Sequence, residues 1–575
     1  MDNINNKDKF ILGIGGYYHD SSACLIKNGE VVAAAEEERF NRIKHSHGLP
    51  YQAINYCLHL AKIELKDVES VGFYWNYWLW LKKRAAYRMT NFWRAPFCSI
   101  ADIVNVAYQG YLPLIELQQK LNVPRKKIKI VNHHLAHAAS AFFVSPFEKA
   151  AILSLDFLGE ETTTFLGLGL GNKITKVNEI KYPHSIGALY TTITEFLGFQ
   201  PTEDEYKVMG LASFGKPNYY KELVRLIRYK ANGKYELDTS YFNYQITGSS
   251  QNHFFSDKFI RKFGPPRKHG EKITQYHMDI AASLQKLLEE IVFYLVQYLY
   301  EKSKTKNLCI VGGVGLNCAM NGKLLRESSF KNIYVQPAAN DAGCALGCCY
   351  HIYNQLLDEP RKYIMESAYL GPEYSDLHIK NELDSNKITY EYYENIEEVV
   401  ANLLAKNKII GWFQGRMEWG PRALGNRSIL ASPISLGMQD LVNRSIKFRE
   451  EFRPFAPSVI EEDANDYFDM HSPSPFMLFL FDVKEKVKAS IPAVTHIDGT
   501  ARVQTVNRKT NPRYYKLLSE FKKVTGVPVL LNTSFNVKGE PIVCNVRDAV
   551  RCFYSTGLDY LAVGNYLLRK KPNND

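Results

Sequence analysis

The sequence predicts an α/β protein of two domains, and three features carry that expectation. A unit of strand, polar turn and hairpin at residues 10–34 returns at 150–170, so the first half reads as a duplicated α/β fold. An amphipathic helix at 278–303 leads into an apolar strand, Leu308–Val311, and a glycine-rich turn, Gly312–Asn317. Around 355–375 the hydrophobic period is lost, which sets a domain at 1–355, a linker at 356–375 and a second domain at 376–575.

The elements follow in order. Phe10–Ile14 is a short apolar strand, and Gly15–Ser22 is a turn whose backbone N–H groups suit a phosphate or acyl ligand. Ala23–Lys27 is a second strand, joined to Glu30–Ala34 by the hairpin pair Asn28-Gly29. Residues 73–121 form a helical insert that opens with the aromatic run FYWNYWLWLKKRAAYRMTNFWRAPF. Lys82, Lys83, Arg84 and Arg88 interrupt it, so it reads as core or as a wall shaping a substrate rather than as a membrane patch. Ala150–Leu155 is the strand of the repeated unit and ends at Asp156, and the second domain contains the strands Ile409–Phe413 and Val527–Asn532.

Composition excludes several classes. At 575 residues, with 46% hydrophobic and 23% charged side chains, the chain is neither disordered nor collagen-like. The opening MDNINNKDKF lacks an apolar signal core, and no run of about 18 uncharged apolar residues occurs, so neither secretion nor a membrane span is expected. The ten cysteines include no C-x-x-C pair and fit a reducing compartment, so the chain is expected in the cytoplasm. A net charge of +11 favours anionic ligands, but no lysine and arginine block is dense enough to expect nucleic acid.

Two constellations carry chemistry. Asn132–Ala139 places His133 and His137 four residues apart on one helix face, where both imidazoles reach one cation, while His134 points elsewhere. Asp156 and Asp341, the latter in the small-residue loop PAANDAG, add carboxylates. Two imidazoles with one or two carboxylates suit iron(II), manganese or zinc.

The second constellation is rich in arginine. Residues 415–428, GRMEWGPRALGNRS, and 443–457, NRSIKFREEFRPFAP, alternate glycine or proline turns with cationic side chains. If residues 447–453 are extended, Lys447, Arg449 and Arg453 share one side. Together with His496–Arg502 and Leu531–Asn536 they form the donor set a triphosphate needs. No G-x-x-x-x-G-K-[ST] loop occurs, so a conventional ATPase fold is not indicated.

Taken together, GGYYHDSSACLI, EEERFNRIKH, HHLAHAASAFF, EYKVMGLASFG, GGVGLNCAMNGKLL, NDAG, GRMEWGPRALGNRSILA, IKFREEFRPFAP and LNTSFNVKGEPIV resemble the O-carbamoyltransferase family of nodulation-factor, cephamycin, tobramycin and saxitoxin biosynthesis. The resemblance is collinear from about residue 10 to 565. It implies an N-terminal actin-like domain, similar to the tRNA threonylcarbamoyl-transferring protein, and a C-terminal YrdC-like α+β domain. The C-terminal domain would take carbamoyl phosphate and ATP with magnesium, release phosphate and pyrophosphate, and make carbamoyl adenylate. The N-terminal domain would pass the carbamoyl group to a hydroxyl of a small acceptor, releasing AMP.

The resemblance also assigns residues. His133, His137, Asp156 and Asp341 become metal ligands, with iron(II) the ion expected first, and His19 the general base for the acceptor hydroxyl. Gly312, Gly313, Gly315 and Asn317 would let the backbone approach the adenosine, with Glu205 and Lys207 lining the same cleft. Arg422, Lys447, Arg453, Arg502, Ser534 and Asn536 match the residues for carbamoyl phosphate and ATP, with Lys447 and Arg453 catalytic and Arg416 and Arg449 as further candidates. One departure is Phe157, where the family's D-G-x-G-E run has glycine; it bears on the local turn and on acceptor access. A fused threonylcarbamoyl-type tRNA enzyme and a non-catalytic actin-like nucleotide-binding protein are the alternatives. Charge and aromatic surface are compatible with a homodimer.

Overall fold

A computed structural model describes residues 8–90, 96–247 and 253–570; Phe92 and Trp93 of the aromatic run lie outside the described residues. The chain divides into two compact units, one of residues 1–34 and 46–364 and the other of residues 35–45 and 365–575.

The first unit contains two five-stranded sheets. β1 (Phe10–Gly15), β2 (Ser22–Lys27), β3 (Glu30–Glu36), β4 (Ser70–Phe73) and β5 (Ile128–Ile130) lie in the order β3-β2-β1-β4-β5. β6 (Lys149–Leu155), β7 (Thr162–Leu170) and β8 (Lys173–Lys181) precede a separate ribbon of β9 (Ile227–Lys230) and β10 (Lys234–Leu237). With β11 (Asn307–Val311) and β12 (Asn332–Val335) they make the second sheet, β8-β7-β6-β11-β12. β1 is antiparallel to β2 and parallel to β4, as β6 is antiparallel to β7 and parallel to β11. The repeated unit seen in the sequence is therefore a repeat of topology. β1 is buried along its whole length, which its uninterrupted apolar run allows only if both faces are covered.

Helices cover those faces at close range. Cys344–Tyr350 packs between β1 and the helix His133–Phe142. A methyl group on Gly13 would stand 1.9 Å from the carbonyl oxygen of Ala345, and one on Gly347 would stand 1.8 Å from that of Ala136. The long helix runs over Gln275–Ser303, with Thr274 as its N-cap.

The stretch after residue 355 is not free of the first unit. Arg361 donates to the carbonyls of Phe142 at 3.0 Å, Phe143 at 3.3 Å, Ser145 at 2.7 Å and Phe147 at 2.7 Å, completing the C-terminal end of His133–Phe142. An arginine, rather than an apolar stripe, holds this segment, which is why the sequence shows no period there. The units part in sequence between Ile364 and Met365.

The second unit is built on an eight-stranded mixed sheet. Its strands are β13 (Glu391–Tyr392), β14 (Ile410–Phe413), β15 (Arg427–Ala431), β16 (Ala456–Ile460), β19 (Gln504–Val506), β20 (Val529–Ser534), β21 (Tyr560–Val563) and β22 (Tyr566–Arg569), ordered β13-β22-β21-β14-β15-β20-β16-β19. β17 (Leu480–Asp482) and β18 (Thr500–Arg502) pair apart from it. Two findings differ from the sequence reading. Residues 35–45, placed by sequence in the first domain, pack in the second unit through Arg39 and Arg42. Residues 443–447 are a helical turn continuing Met438–Val442, and Phe448 follows at φ +46, so Lys447, Arg449 and Arg453 do not share the side of an extended strand.

Gly347→Ala tests the packing. An overpacking cost of about 1–3 kcal/mol is expected to lower the melting temperature by a few degrees. Gly437→Ala, whose added methyl would meet nothing within 4 Å, is expected to leave it unchanged when thermal unfolding is followed by circular dichroism.

Candidate active sites

The first site gathers residues that follow the carboxyl ends of strands, where a parallel sheet leaves a crevice. His133–Phe142 follows β5, Asp156 follows β6, Gly312 follows β11 and Asp341 lies in the loop after β12. Glu160 fixes the start of the histidine helix by accepting from the backbone N–H of His133 at 2.9 Å and of Asn76 at 2.8 Å. His134 turns away, as expected, and bridges Ser154 Oγ at 2.8 Å and the Thr162 carbonyl at 2.9 Å, pinning the helix to β6 and β7.

The two remaining imidazoles face two carboxylates. Asp156 Oδ2 lies 2.9 Å from His133 Nε2 and 3.2 Å from His137 Nε2; Asp341 Oδ1 lies 3.7 and 3.6 Å from the same atoms. Both histidine side chains are fully buried. One ligand atom from each of the four residues lies within 4.8 Å of the other three. Burial raises the Asp156 carboxyl, but His133 and His137 outweigh it and hold the group well below the usual carboxylate range. Two imidazoles and two carboxylates thus face one another in a buried centre, a donor set that fits a divalent cation. Cys344 forms a second close group with His133 and His137.

Other expected residues surround this centre. His19 Nδ1 is 3.0 Å from Asp20 Oδ2, which also accepts from Asn340 Nδ2 at 2.6 Å. Burial opposes the His19 imidazolium, but Asp20 outweighs it and raises the group to about 9. A methyl on Gly313 would come within 3.2 Å of Asp156 Oδ1, and one on Gly312, at φ +89, would strike the Leu155 carbonyl at 2.1 Å. Gly315 closes its turn on the Gly312 carbonyl at 2.8 Å. Asn317 is spent locally, capping Met320 N at 2.9 Å and exchanging amide bonds with Gln285 at 2.9 and 3.1 Å. Glu205 accepts from Thr191 and Thr202, and Lys207 pairs with Asp204 at 2.9 Å. Their helix reaches the same turn through Met209, whose sulfur is 3.8 Å from that of Cys318.

The start of the aromatic insert walls the centre. The rings of Trp75 and Tyr74 lie 5.1 and 5.4 Å from that of His133, and the half-buried Tyr18 and Trp80 pack on Trp75 at 5.1 and 5.4 Å. Phe157 packs beside Tyr244 and Phe254 while its N–H donates to Asp156 Oδ1 at 2.8 Å, so the bulky residue is accommodated.

The second unit brings Lys447, Ser534 and Asn536 together. Lys447 Nζ reaches Asn536 Oδ1 at 2.8 Å, Asn536 O at 3.1 Å, Ser534 Oγ at 3.2 Å and the Ser534 carbonyl, and Ser534 Oγ donates to Asn536 Oδ1 at 2.7 Å. Burial, with Arg449 and Arg453 adding to it, pushes the Lys447 ammonium well below the usual lysine range. Arg449 donates to Asn443 Oδ1 at 2.7 Å, Arg453 lies 3.8 Å from Glu450, and Arg422 and Arg502 come from the 418–427 loop and the end of β18. Arg416 donates to the carbonyls of Leu370 and Gly371, a structural use.

Known proteins match both halves. The model for the N-terminus of carbamoyltransferases covers residues 10–350, and that for the C-terminus covers 401–570. The chain belongs to the carbamoyltransferase family. This carbamoyltransferase is a transferase enzyme. It is 43% identical to an uncharacterized protein of Synechocystis over 97% of this chain and 96% of that one. It is 39% identical to nodulation protein NolNO of Sinorhizobium fredii over 96% and 79% of the two chains. It is 37% identical to the 3'-hydroxymethylcephem-O-carbamoyltransferase of Amycolatopsis lactamdurans over 50% and 53%.

Sequence reasoning missed two residues of the carbamoyltransferase's first site. Cys344 stands three positions after Asp341, one helical turn on, and Glu160 lies four after Asp156. Removal and return of metal tests the centre. Metal-free full-length protein is expected to bind one equivalent of manganese(II) and to gain about 2.7 kcal/mol of stability at a hundredfold excess over Kd. Asp341→Asn should erase that gain in thermal unfolding; an equal gain in the variant would show that the ion binds elsewhere.

Proposed function

We propose that this carbamoyltransferase forms carbamoyl adenylate in its second unit and transfers the carbamoyl group to a hydroxyl of a small-molecule acceptor in its first. The observation that carries the reading is the pairing of a buried lysine with Ser534 and Asn536 in one compact unit and a two-histidine, two-aspartate centre in the other. The printed name of the cephem relative, an O-carbamoyltransferase, supports a hydroxyl acceptor.

In the second unit, carbamoyl phosphate is hydrolysed to carbamate and phosphate. A carbamate oxygen then attacks the α-phosphorus of ATP, which is presented with magnesium, and pyrophosphate leaves. Lys447, Arg453, Arg422, Arg502 and Arg449 offset the phosphate charges, and Ser534 and Asn536 orient the carbamoyl end. In the first unit the acceptor oxygen bonds to the carbamoyl carbon, the carbon–oxygen bond to AMP breaks, and His19 takes the hydroxyl proton. His133, His137, Asp156 and Asp341 would hold a divalent cation, iron(II) in preference to manganese or zinc, which supplies Lewis-acid charge against the developing oxyanion. The Gly312–Gly315 turn, with Asn317, Glu205 and Lys207 around it, receives the adenosine. The fold proposed for the first unit is actin-like and that for the second YrdC-like.

The two half-reactions separate by mutation. His137→Ala is expected to abolish carbamoyl transfer while pyrophosphate release from ATP and carbamoyl phosphate continues at the parent rate. Lys447→Ala is expected to remove that release, by about two orders of magnitude or more, while supplied carbamoyl adenylate is still consumed. Either variant losing both activities with an unchanged fold would overturn the division.

The base has a pH signature. Because His19 acts only when neutral and its imidazolium persists to about 9, transfer should rise with pH and level off at or below about 9, a bound cation pulling the inflection down. His19→Asn should flatten the profile; an unchanged slope would exclude His19 as the base.

A further inference from the structure

The second unit contains eleven residues, 35–45, that are remote in sequence from the rest of it. They run on from β3 through a short helix, Glu38–Asn41, and Glu36, Glu37 and Arg39 are buried. Charged groups of this segment meet two loops of the second unit.

The first is the loop of residues 418–427. Glu36 Oε1 accepts from Gly420 N at 3.0 Å while Arg39 Nη2 donates to Gly420 O at 2.9 Å, so both polar backbone atoms of one glycine, at φ +111, are clamped. Arg39 is held in turn by Glu36 at 3.3 Å and Glu38 at 3.0 Å. The rest of the loop wraps Glu418, whose Oε1 accepts from the backbone of Leu424 at 2.7 Å, Asn426 at 2.8 Å and Arg427 at 3.1 Å. Arg422 lies two residues past the clamped glycine.

The second is the loop after β20. Arg42 donates to the carbonyls of Pro541 at 2.7 Å and Ile542 at 2.6 Å and stands 3.6 Å from Asp548. The neighbouring Glu540 carbonyl accepts from Asn536 Nδ2 at 2.7 Å, and Asn536 is bonded to Lys447.

We infer that residues 35–45 are a strap whose Arg39 and Arg42 are positioning residues for the anion site, fixing the loops that carry Arg422 and Asn536. Neither arginine is placed on the substrate; each acts through backbone atoms, and a displacement of about 1 Å at a reacting group is enough to cost a hundredfold in rate. The inference rests on the reading of the Lys447 site as the place where carbamoyl phosphate and ATP are used.

The test measures carbamoyl-phosphate-dependent pyrophosphate release by full-length Arg42→Gln, Arg42→Lys and Arg39→Gln, with melting temperature and manganese(II) binding as controls. Arg42→Gln should raise KM for carbamoyl phosphate tenfold or more, with melting within a few degrees of the parent and manganese binding unchanged. Arg42→Lys, which keeps one donor to the Pro541 and Ile542 carbonyls, should recover part of that loss. Arg39→Gln leaves the buried Glu36 and the half-buried Glu38 without their cation; if it fails to fold, the Arg42 pair decides. Parental KM and kcat in Arg42→Gln would overturn the strap alone, whereas a parent protein that releases no pyrophosphate would overturn the reading of the site and the strap with it.

Discussion

The helix His133–Phe142 is the element on which the first unit's chemistry depends, because it is held at its start, its middle, its side and its end. Glu160 takes the first N–H, His134 bridges to β6 and β7, Gly347 lets a neighbouring helix lie against Ala136, and Arg361 collects four carbonyls at the far end. Two imidazoles on one helix share a cation only if the helix neither rotates nor slides, and each of these contacts removes one of those motions. The two aspartates enter from loops that follow different strands of the second sheet, so sheet register and helix position together set the spacing of the four side chains.

The second unit solves a different problem. Its site is made of loops, and loops leave backbone groups that secondary structure does not satisfy. Ionised side chains take that place: Glu418 for three amides, Arg427 for the carbonyls of Gln414, Gly415, Asn426 and Pro372, and Arg416 for two more. Arg427 also lies 3.7 Å above the ring of Phe413, which shields it. A count of arginines in this stretch therefore overstates the cations left for a ligand, because part of the charge is spent on shaping the loops.

Much was legible in the sequence because it depends on local pattern. Apolar runs gave β1, β6 and β11, Asn28-Gly29 gave the hairpin, and the four-residue spacing gave His133 and His137. Lys447, Ser534 and Asn536 were also named from sequence, and the structure joins them. What stayed hidden depends on partners distant in the chain. Glu36 and Arg39 acquire meaning only against Gly420, and Arg361 only against carbonyls 214 to 219 residues earlier. The turn at 443–447 continues Met438–Val442, and its buried Ile446 stands four residues after the buried Val442, a spacing that reading residues 447–453 as extended passes over. Cys344 read as one more small buried thiol until its helix brought it beside the histidines.

Opposite charge excess at the two sites follows from this construction and bears on what each can take. Two carboxylates facing two imidazoles in a buried centre are balanced either by two protons or by one divalent ion, so cation binding and proton release are linked there. At Lys447 the balance is reversed: Arg449 and Arg453 depress its ammonium along with burial, and the nearby oxygens of Ser534 and Asn536 are neutral. An arriving polyanion would relieve that mutual repulsion, which is what the proposed use of carbamoyl phosphate and ATP at this site asks of it. A neutral ligand gains nothing from it. Glu36 and Arg39 fix the backbone of Gly420, and Arg42 holds the carbonyls after Glu540, so the loops carrying Arg422 and Asn536 are tied by charged side chains.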